Sequence, residues 1–535
     1  MQKTLTLIII IIISGINYKT LSQNYLFSGR VPHDTTWKAD TIFITNHVKI
    51  DSGVLLTIMP GTVLVFDGYY HITSYGNIKA QGVFNDSIVF LKINLHNLND
   101  ASTYEGGWNG IRLMPRSLQD TTVFNYCRFQ GGKAINPFTP FNDESDEAKG
   151  GLLFCKDCGN VQITNCKFTR SFAKRDGAGI YIYKANNVII RNNEFTYNYA
   201  QFKGGGIFSD LVYNMIIENN VFYKNTSFFE NYDIGGEIAG QGSAINIWNA
   251  YNHNAKCLIK NNYFSNNFSP FGTVVESYWK TRIENNIICN NHGVSIVNGN
   301  SSSIPLYIGN TIMNNLNYFY VSGILYMSPG IKIINNIIWH NYTDYPDDPQ
   351  VFSLQNKPID IRYSNIMYGF EGEGNINEVP LFVRPTIAVG DYIDGLDADW
   401  SLMDESPCVN TGIADTTGLH LSPIDLLGNP RVFGGRIDMG AIENQHVLQN
   451  EPALVATQLQ VYPNPGYDRL FVVVPVGFES GTFELFDAQG VCVFSQQVGE
   501  GPAVFSPNRA TPGIYFYRLR QNDLVVAQGK WIKSN

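Results

Sequence analysis

Hydrophobic and polar positions alternate in short runs along most of the chain. In Val161-Gln-Ile-Thr-Asn165-Cys-Lys-Phe168, Val161 and Ile163 stand against Gln162 and Thr164. The same pattern returns in Val188-Ile-Ile-Arg-Asn192-Asn-Glu-Phe195, Met215-Ile-Ile-Glu-Asn219-Asn-Val-Phe222 and Cys257-Leu-Ile-Lys-Asn261-Asn-Tyr-Phe264. A period of two marks a strand with one buried face. β-branched and aromatic residues dominate, and no helical period competes. The leading Asn recurs at 165, 192, 219, 261, 285, 310, 335 and 365, in steps of 27, 27, 42, 24, 25, 25 and 30. Regular recurrence in the twenties predicts a solenoid in which each copy forms one coil. Asn tolerates the left-handed backbone of a tight turn. The stacked turns predict an Asn ladder between coils.

A second strand stands in each copy at Gly177-Ala-Gly-Ile-Tyr-Ile182, Gly204-Gly-Gly-Ile-Phe208 and Gly242-Ser-Ala-Ile-Asn-Ile247. Between the strands lies an F-x-x-N turn, at Phe195 to Asn198, Phe222 to Asn225 and Phe264 to Asn267. This pair of motifs resembles the repeats of polymorphic outer-membrane adhesins. The whole coil, over roughly residues 40–370, resembles the right-handed parallel β-helix repeat family, which includes pectate-lyase-like enzymes. The expected fold is therefore all-β: a right-handed parallel β-helix over residues 23–445, followed by a small Ig-like β-sandwich. Leu56 to Phe66 and Gly76 to Gly82 read as opening coils. The ordered string from Tyr363 to Glu443 resembles the closing segment of secreted β-helix proteins of the choice-of-anchor Q type. In that setting Asp438 and Glu443 tie the last coils together.

The pattern changes after a linker at 446–458. Residues 459–535 carry short alternating strands broken by turns about every ten residues, as in a β-sandwich. Pro463, Asn464 and Pro465, then Gly513 and Tyr515, then Gly529, Lys530 and Lys533 follow in the order of a type A sorting domain of type IX secretion. The resemblance implies export across the outer membrane of a diderm bacterium, with the secretion machinery as partner. Lys3 followed by the apolar run Leu5 to Ile13 reads as a signal peptide over residues 1–22.

Composition narrows the function. The chain has 535 residues, 16% charged, with net charge −9. That balance argues against a nucleic-acid partner. Eight cysteines are too thinly spread for a disulfide scaffold. Cys155 and Cys158 read as a local disulfide or as two buried thiols. Glu194, Glu218 and Glu284, with Arg191 and Lys260, read as a solvated face. Neither the pair Arg175 and Asp176 nor any His forms a recognisable catalytic set.

Three insertions fall between the F-x-x-N turn and the next glycine strand: Pro137 to Lys149, Thr226 to Gln241 and Tyr342 to Gln350. Insertions at one coil position emerge on one face. Their acids and aromatics make candidate ligand contacts: Asp143 and Asp146; Phe229, Glu230, Tyr232, Asp233 and Glu237; Tyr345 and Asp347. Aromatics stack on sugar rings, and acids hold sugar hydroxyls or Ca²⁺. The alternative is loops kept soluble by charge. Two functions follow. One is a non-enzymatic adhesin or glycan-binding surface protein that meets extracellular polysaccharide or host glycan. The other is a polysaccharide lyase or glycoside hydrolase, which a compact groove of Lys or Arg with Asp would favour.

Overall fold

A computed structural model describes residues 24–117, 119–139, 144–228, 240–248, 255–278, 281–298, 304–318, 322–326, 329–343, 349–353, 356–446, 459–467, 469–474, 478, 480–507, 510–521 and 524–534. The expected signal peptide lies outside them, as does the expected linker apart from His446. The chain forms two compact units. The first holds Met1–Ile216, Phe222–Cys257 and Gly272–Tyr278; the second holds Ile217–Val221, Leu258–Phe271 and Trp279–Asn535.

In the first unit, parallel strands stack coil upon coil. Thr122, Val161 and Val188 share one register, as do Phe124, Ile163 and Ile190, and all six except Thr122 are apolar. All six are buried. Phe90, Phe129, Phe168, Phe195 and Phe222 form a stack of rings with centroid spacings of 4.8, 4.7, 5.0 and 4.8 Å. These spacings match the separation of neighbouring strands, so each turn of chain adds one strand layer. The opening coils form where expected, at Leu55–Ile58, Val63–Phe66 and Asn77–Gln81. Ahead of them the largely exposed strand Asn24–Val31 pairs with Thr41–Ile50 and covers the end of the stack. Cys155 and Cys158 form a disulfide, with Cα atoms 5.6 Å apart.

In the second unit, Ile283, Tyr307, Ile333 and Ile361 share one register, and Phe264, Ile288, Ile312, Ile338 and Ile366 another. The leading Asn residues do take the left-handed turn: φ is 51° at Asn285 and 57° at Asn335. The ladder, however, is built by the next position. Asn262 donates to Oδ1 of Asn286, Asn286 to Asn310 and Asn310 to Asn336, each from both backbone N and side-chain Nδ2 at 2.9–3.0 Å. Asn310 is thus a ladder residue, and Gly309 holds the left-handed position before it (φ 65°). The reading of Asn365 shifts likewise: Tyr363 is left-handed, and the Ser364 hydroxyl accepts from Asn336. A second buried ladder runs through the F-x-x-N residues Asn267, Asn291, Asn315 and Asn341, at 2.8–2.9 Å between side chains.

Left-handed Asn side chains point outward and hold the closing segment instead. Asn266, Asn290 and Asn314 donate to the carbonyls of Ile393, Ala388 and Thr386. Asn285 accepts from Arg431, and Asn335 from the backbone N of Ile413. Arg431 meets Glu443 at 2.5 Å with both side chains buried. Asp438 accepts from the backbone N of Asn410 and of Asn444, each at 2.6 Å. Asp438 and Glu443 are structural, as expected. Glu284 is not on a solvated face: it is 2% exposed, pairs with Arg282 and accepts from Ser422.

The C-terminal residues form a three-stranded and a four-stranded antiparallel sheet. Leu470, Val472, Phe483, Leu485, Phe505, Leu519 and Trp531 fill the space between alternating faces. The Pro-Asn-Pro start hooks onto the last strand. Trp531 donates to the Pro463 carbonyl, Asn464 accepts from the backbone N of Ile532, and Asn464 donates to the carbonyl of Lys530.

Candidate functional site

In the first unit Lys149, Asp176, Lys203 and Gln241 each stand directly before a left-handed glycine. Gly150, Gly177, Gly204 and Gly242 have φ of 73°, 67°, 66° and 63°. A Cβ on Gly177 would lie 2.6 Å from the Ile180 carbonyl oxygen, so the turn requires glycine. Backbone pairing stacks the turns: Gly150 N donates to Asp176 O, Gly177 N to Lys203 O and Gly204 N to Gln241 O, at 2.8–3.0 Å. The four side chains therefore occupy one column, one coil apart.

A strip of aromatics runs beside this column. Phe154, Tyr181 and Phe208 stack with centroids 5.3 and 5.1 Å apart, and Tyr183 and Trp248 pack against them. The Lys203 ammonium lies 3.5 Å from the Trp248 ring centre. Lys149, Asp176 and Lys203 of the column, with Tyr181, Tyr183, Phe208 and Trp248 of the strip, line a groove of about 560 Å³. That is room for several sugar units of a chain lying along the coils.

Charge in the groove is balanced. Lys149, Lys156, Arg175, Lys184 and Lys203 face Glu144, Asp146, Asp157, Asp176 and Asp210. Glu144 pairs with Lys149 at 2.8 Å and with Arg175. Asp146 pairs with Lys156 at 2.6 Å, and Arg175 Nε is 3.6 Å from Asp176. Burial pushes the Asp176 carboxyl up to about 6, against the pull of Arg175, Lys203 and Lys149. Its Oδ1 accepts no hydrogen bond among the described residues. Burial also tends to raise the Glu144 carboxyl, but the Lys149 and Arg175 cations outweigh it and hold the group low. Further along, Glu276 is buried and raised by that burial, accepting from Thr273 at 2.8 Å. Balanced charges and flat rings suit a hydroxyl-rich ligand, whose hydroxyls bond to both signs while its rings stack.

Of the ligand contacts expected from the insertions, Asp146 lies in this groove. Asp143, Phe229, Glu230, Tyr232, Asp233, Glu237, Tyr345 and Asp347 fall outside the described residues. The first two insertions leave from one column, since Ala134, Ala173, Ala200 and Ser227 share a register. Arg175 and Asp176 belong to a compact charged set in this groove. Lys149 and Lys203 escaped the sequence reading because each looks like an isolated lysine. The signal was available in the residue preceding the first glycine of each glycine strand. Among the described residues no group of three or more His, Cys, Asp or Glu side chains is placed to hold a metal ion.

The sorting residues sit on the C-terminal sheets. Tyr515 donates to the Thr511 carbonyl at 2.6 Å, and Gly529 pairs with Tyr517. Gly513 pairs with Lys533, which is buried, and the Lys530 ammonium lies 4.7 Å from the Tyr263 ring centre. Residues 120–303 match the family model of the right-handed β-helix region, and residues 460–534 match that of the secretion system C-terminal sorting domain. The chain joins a right-handed β-helix to a sorting domain. The β-helix protein is exported to the cell surface or secreted, and its sorting domain engages the type IX secretion machinery. No curated protein matches the chain.

Proposed function

We propose that this exported β-helix protein binds an extracellular polysaccharide chain in the groove of its first unit, with residues 1–22 acting as the signal peptide. The observation that carries the reading is the buried column Lys149, Asp176 and Lys203 beside the ring strip Tyr181, Phe208 and Trp248. Rings along a groove wall offer apolar contact to sugar rings, and the charged column fixes the orientation of hydroxyls. Host or microbial glycans carry the matching chemistry, and adhesion follows from display at the surface.

A second reading, cleavage of the bound chain, has its own support. A carboxyl near 6 keeps its proton in mildly acidic medium and can donate it to a glycosidic oxygen. Lys149 and Lys203 stand one coil to either side of it, and a lyase would need such a residue as base. Calcium was expected from the acids of the insertions. The described groups do not form such a site, so no step in this proposal runs through the ion.

The test is a binding and cleavage screen of the full chain against a polysaccharide panel. Lys203→Ala and Trp248→Ala should weaken retention on the bound polysaccharide. New reducing ends, absent with Asp176→Asn, would establish cleavage. Retention unchanged in both variants would place binding elsewhere.

A further inference from the structure

The Glu144 side chain is 65% exposed, yet its carboxylate bridges two of the least exposed cations in the groove. Lys149 is 9% exposed and Arg175 4%. Both cations are held by the coil itself. Lys149 precedes the left-handed Gly150, and Arg175 lies over the Phe202 ring at 4.1 Å. The acid, in contrast, is delivered from the solvent side by the insertion between Pro137 and Lys149.

Three cations, Lys149, Arg175 and Lys203, surround the single buried carboxylate of Asp176. The Asp176 Oδ1 atom is buried and accepts no hydrogen bond among the described residues, so it can take a donor such as a sugar hydroxyl next to the two cations. Without Glu144 the cations would exceed the acid by two charges. An anionic group on a glycan presents the same oxygens to the same two cations.

We propose that Lys149 and Arg175 form an anion subsite whose resting occupant is Glu144, and that an acidic group of the bound glycan displaces it. The proposal rests on glycan binding in this groove. A tethered occupant lowers apparent affinity by the fraction of time it fills the site. It also screens the subsite against small anions, which cannot recover the displaced contact through other sugar units.

Titration calorimetry of the full chain tests this with three probes of equal length: an oligouronate, its carboxyl-reduced neutral counterpart and a sulfated oligosaccharide. Glu144→Gln should bind at least one anionic probe more tightly than the unaltered chain, by about three- to tenfold. The preferred probe tells carboxylate from sulfate. The neutral probe should bind both proteins alike. Arg175→Gln should lose the preference for the anion, with a far-UV spectrum and melting curve recorded to confirm folding. Equal or weaker anion binding by Glu144→Gln would overturn the proposal, as would an equal gain for the neutral probe. The groove reading would survive either result. Failure of the unaltered chain to bind any glycan would overturn both.

Discussion

The side-chain Nδ2 of Asn220 donates to Oδ1 of Asn262 at 2.9 Å, across 42 residues of sequence. The contact spans the longest step of the repeat and is nevertheless an ordinary rung. The register of the coil is the same on both sides of this step.

Rungs of this kind are buried, so each Asn is held by several partners. Asn286 accepts from Asn262 and donates to the carbonyls of Ile259 and Glu284 and to Asn310. Asn286→Leu should destabilise the protein by about 3 kcal/mol, because it strands several buried groups. Asn192→Gly should cost less than about 1 kcal/mol, since Asn192 serves the left-handed turn (φ 58°) and glycine takes that conformation freely. Chemical denaturation of both variants checks the order. Equal losses would contradict the assignment of the ladder to the second Asn.

The closing segment depends on the ion pair of Arg431 with Glu443, whose side chains are 2% and 0% exposed. Arg431→Met leaves a buried carboxylate without its cation and should cost about 3–5 kcal/mol. Glu443→Gln should cost less, because an amide oxygen still accepts from Arg431. Thermal melts of the two variants measure the difference. A neutral outcome for Arg431→Met would mean that the segment does not hold the last coils.

The coil period, the strand faces and the sorting motifs were legible because each repeats a local rule: alternation, a left-handed Asn, a fixed order of turn residues. The groove was not legible in the same way. Lys149, Asp176 and Lys203 stand 27 residues apart and mix both signs of charge, and the feature common to all three is only the glycine that follows. The ladder was misplaced by one position because both residues of an Asn pair fit the sequence pattern. Only hydrogen-bond geometry separates the outward Asn285, bound to Arg431, from the inward Asn286.

The Asp176 carboxyl sits higher in the fold than in an unfolded chain, so its contribution to stability is fully present below about pH 4 and lost as pH rises through about 6. Asp176→Asn should therefore raise stability at pH 8 by about 2–3 kcal/mol and change little near pH 4. The same variant should weaken binding in the groove, a trade expected of a functional carboxylate. Melting curves at the two pH values check the sign. A variant less stable at pH 8 would show that Arg175 and Lys203 depend on the carboxylate more than burial opposes it.

Export depends on the C-terminal sheets. Deleting residues 459–535 should leave a folded β-helix retained in the periplasm, whereas the full chain reaches the surface or the medium. Cell fractionation with an antibody to the β-helix distinguishes them. Normal export of the truncated chain would contradict the sorting role.

The central claim is that the groove of the first unit holds a polysaccharide. Its most direct measurement is the affinity of the full chain for a glycan found in the panel screen, compared with a double variant, Lys203→Ala with Trp248→Ala. Losing a stacking ring and a charged hydrogen-bond donor should weaken binding by about 2–4 kcal/mol, or roughly 30- to 1,000-fold, with the β-strand spectrum unchanged. An isotherm identical to that of the unaltered chain would contradict the account.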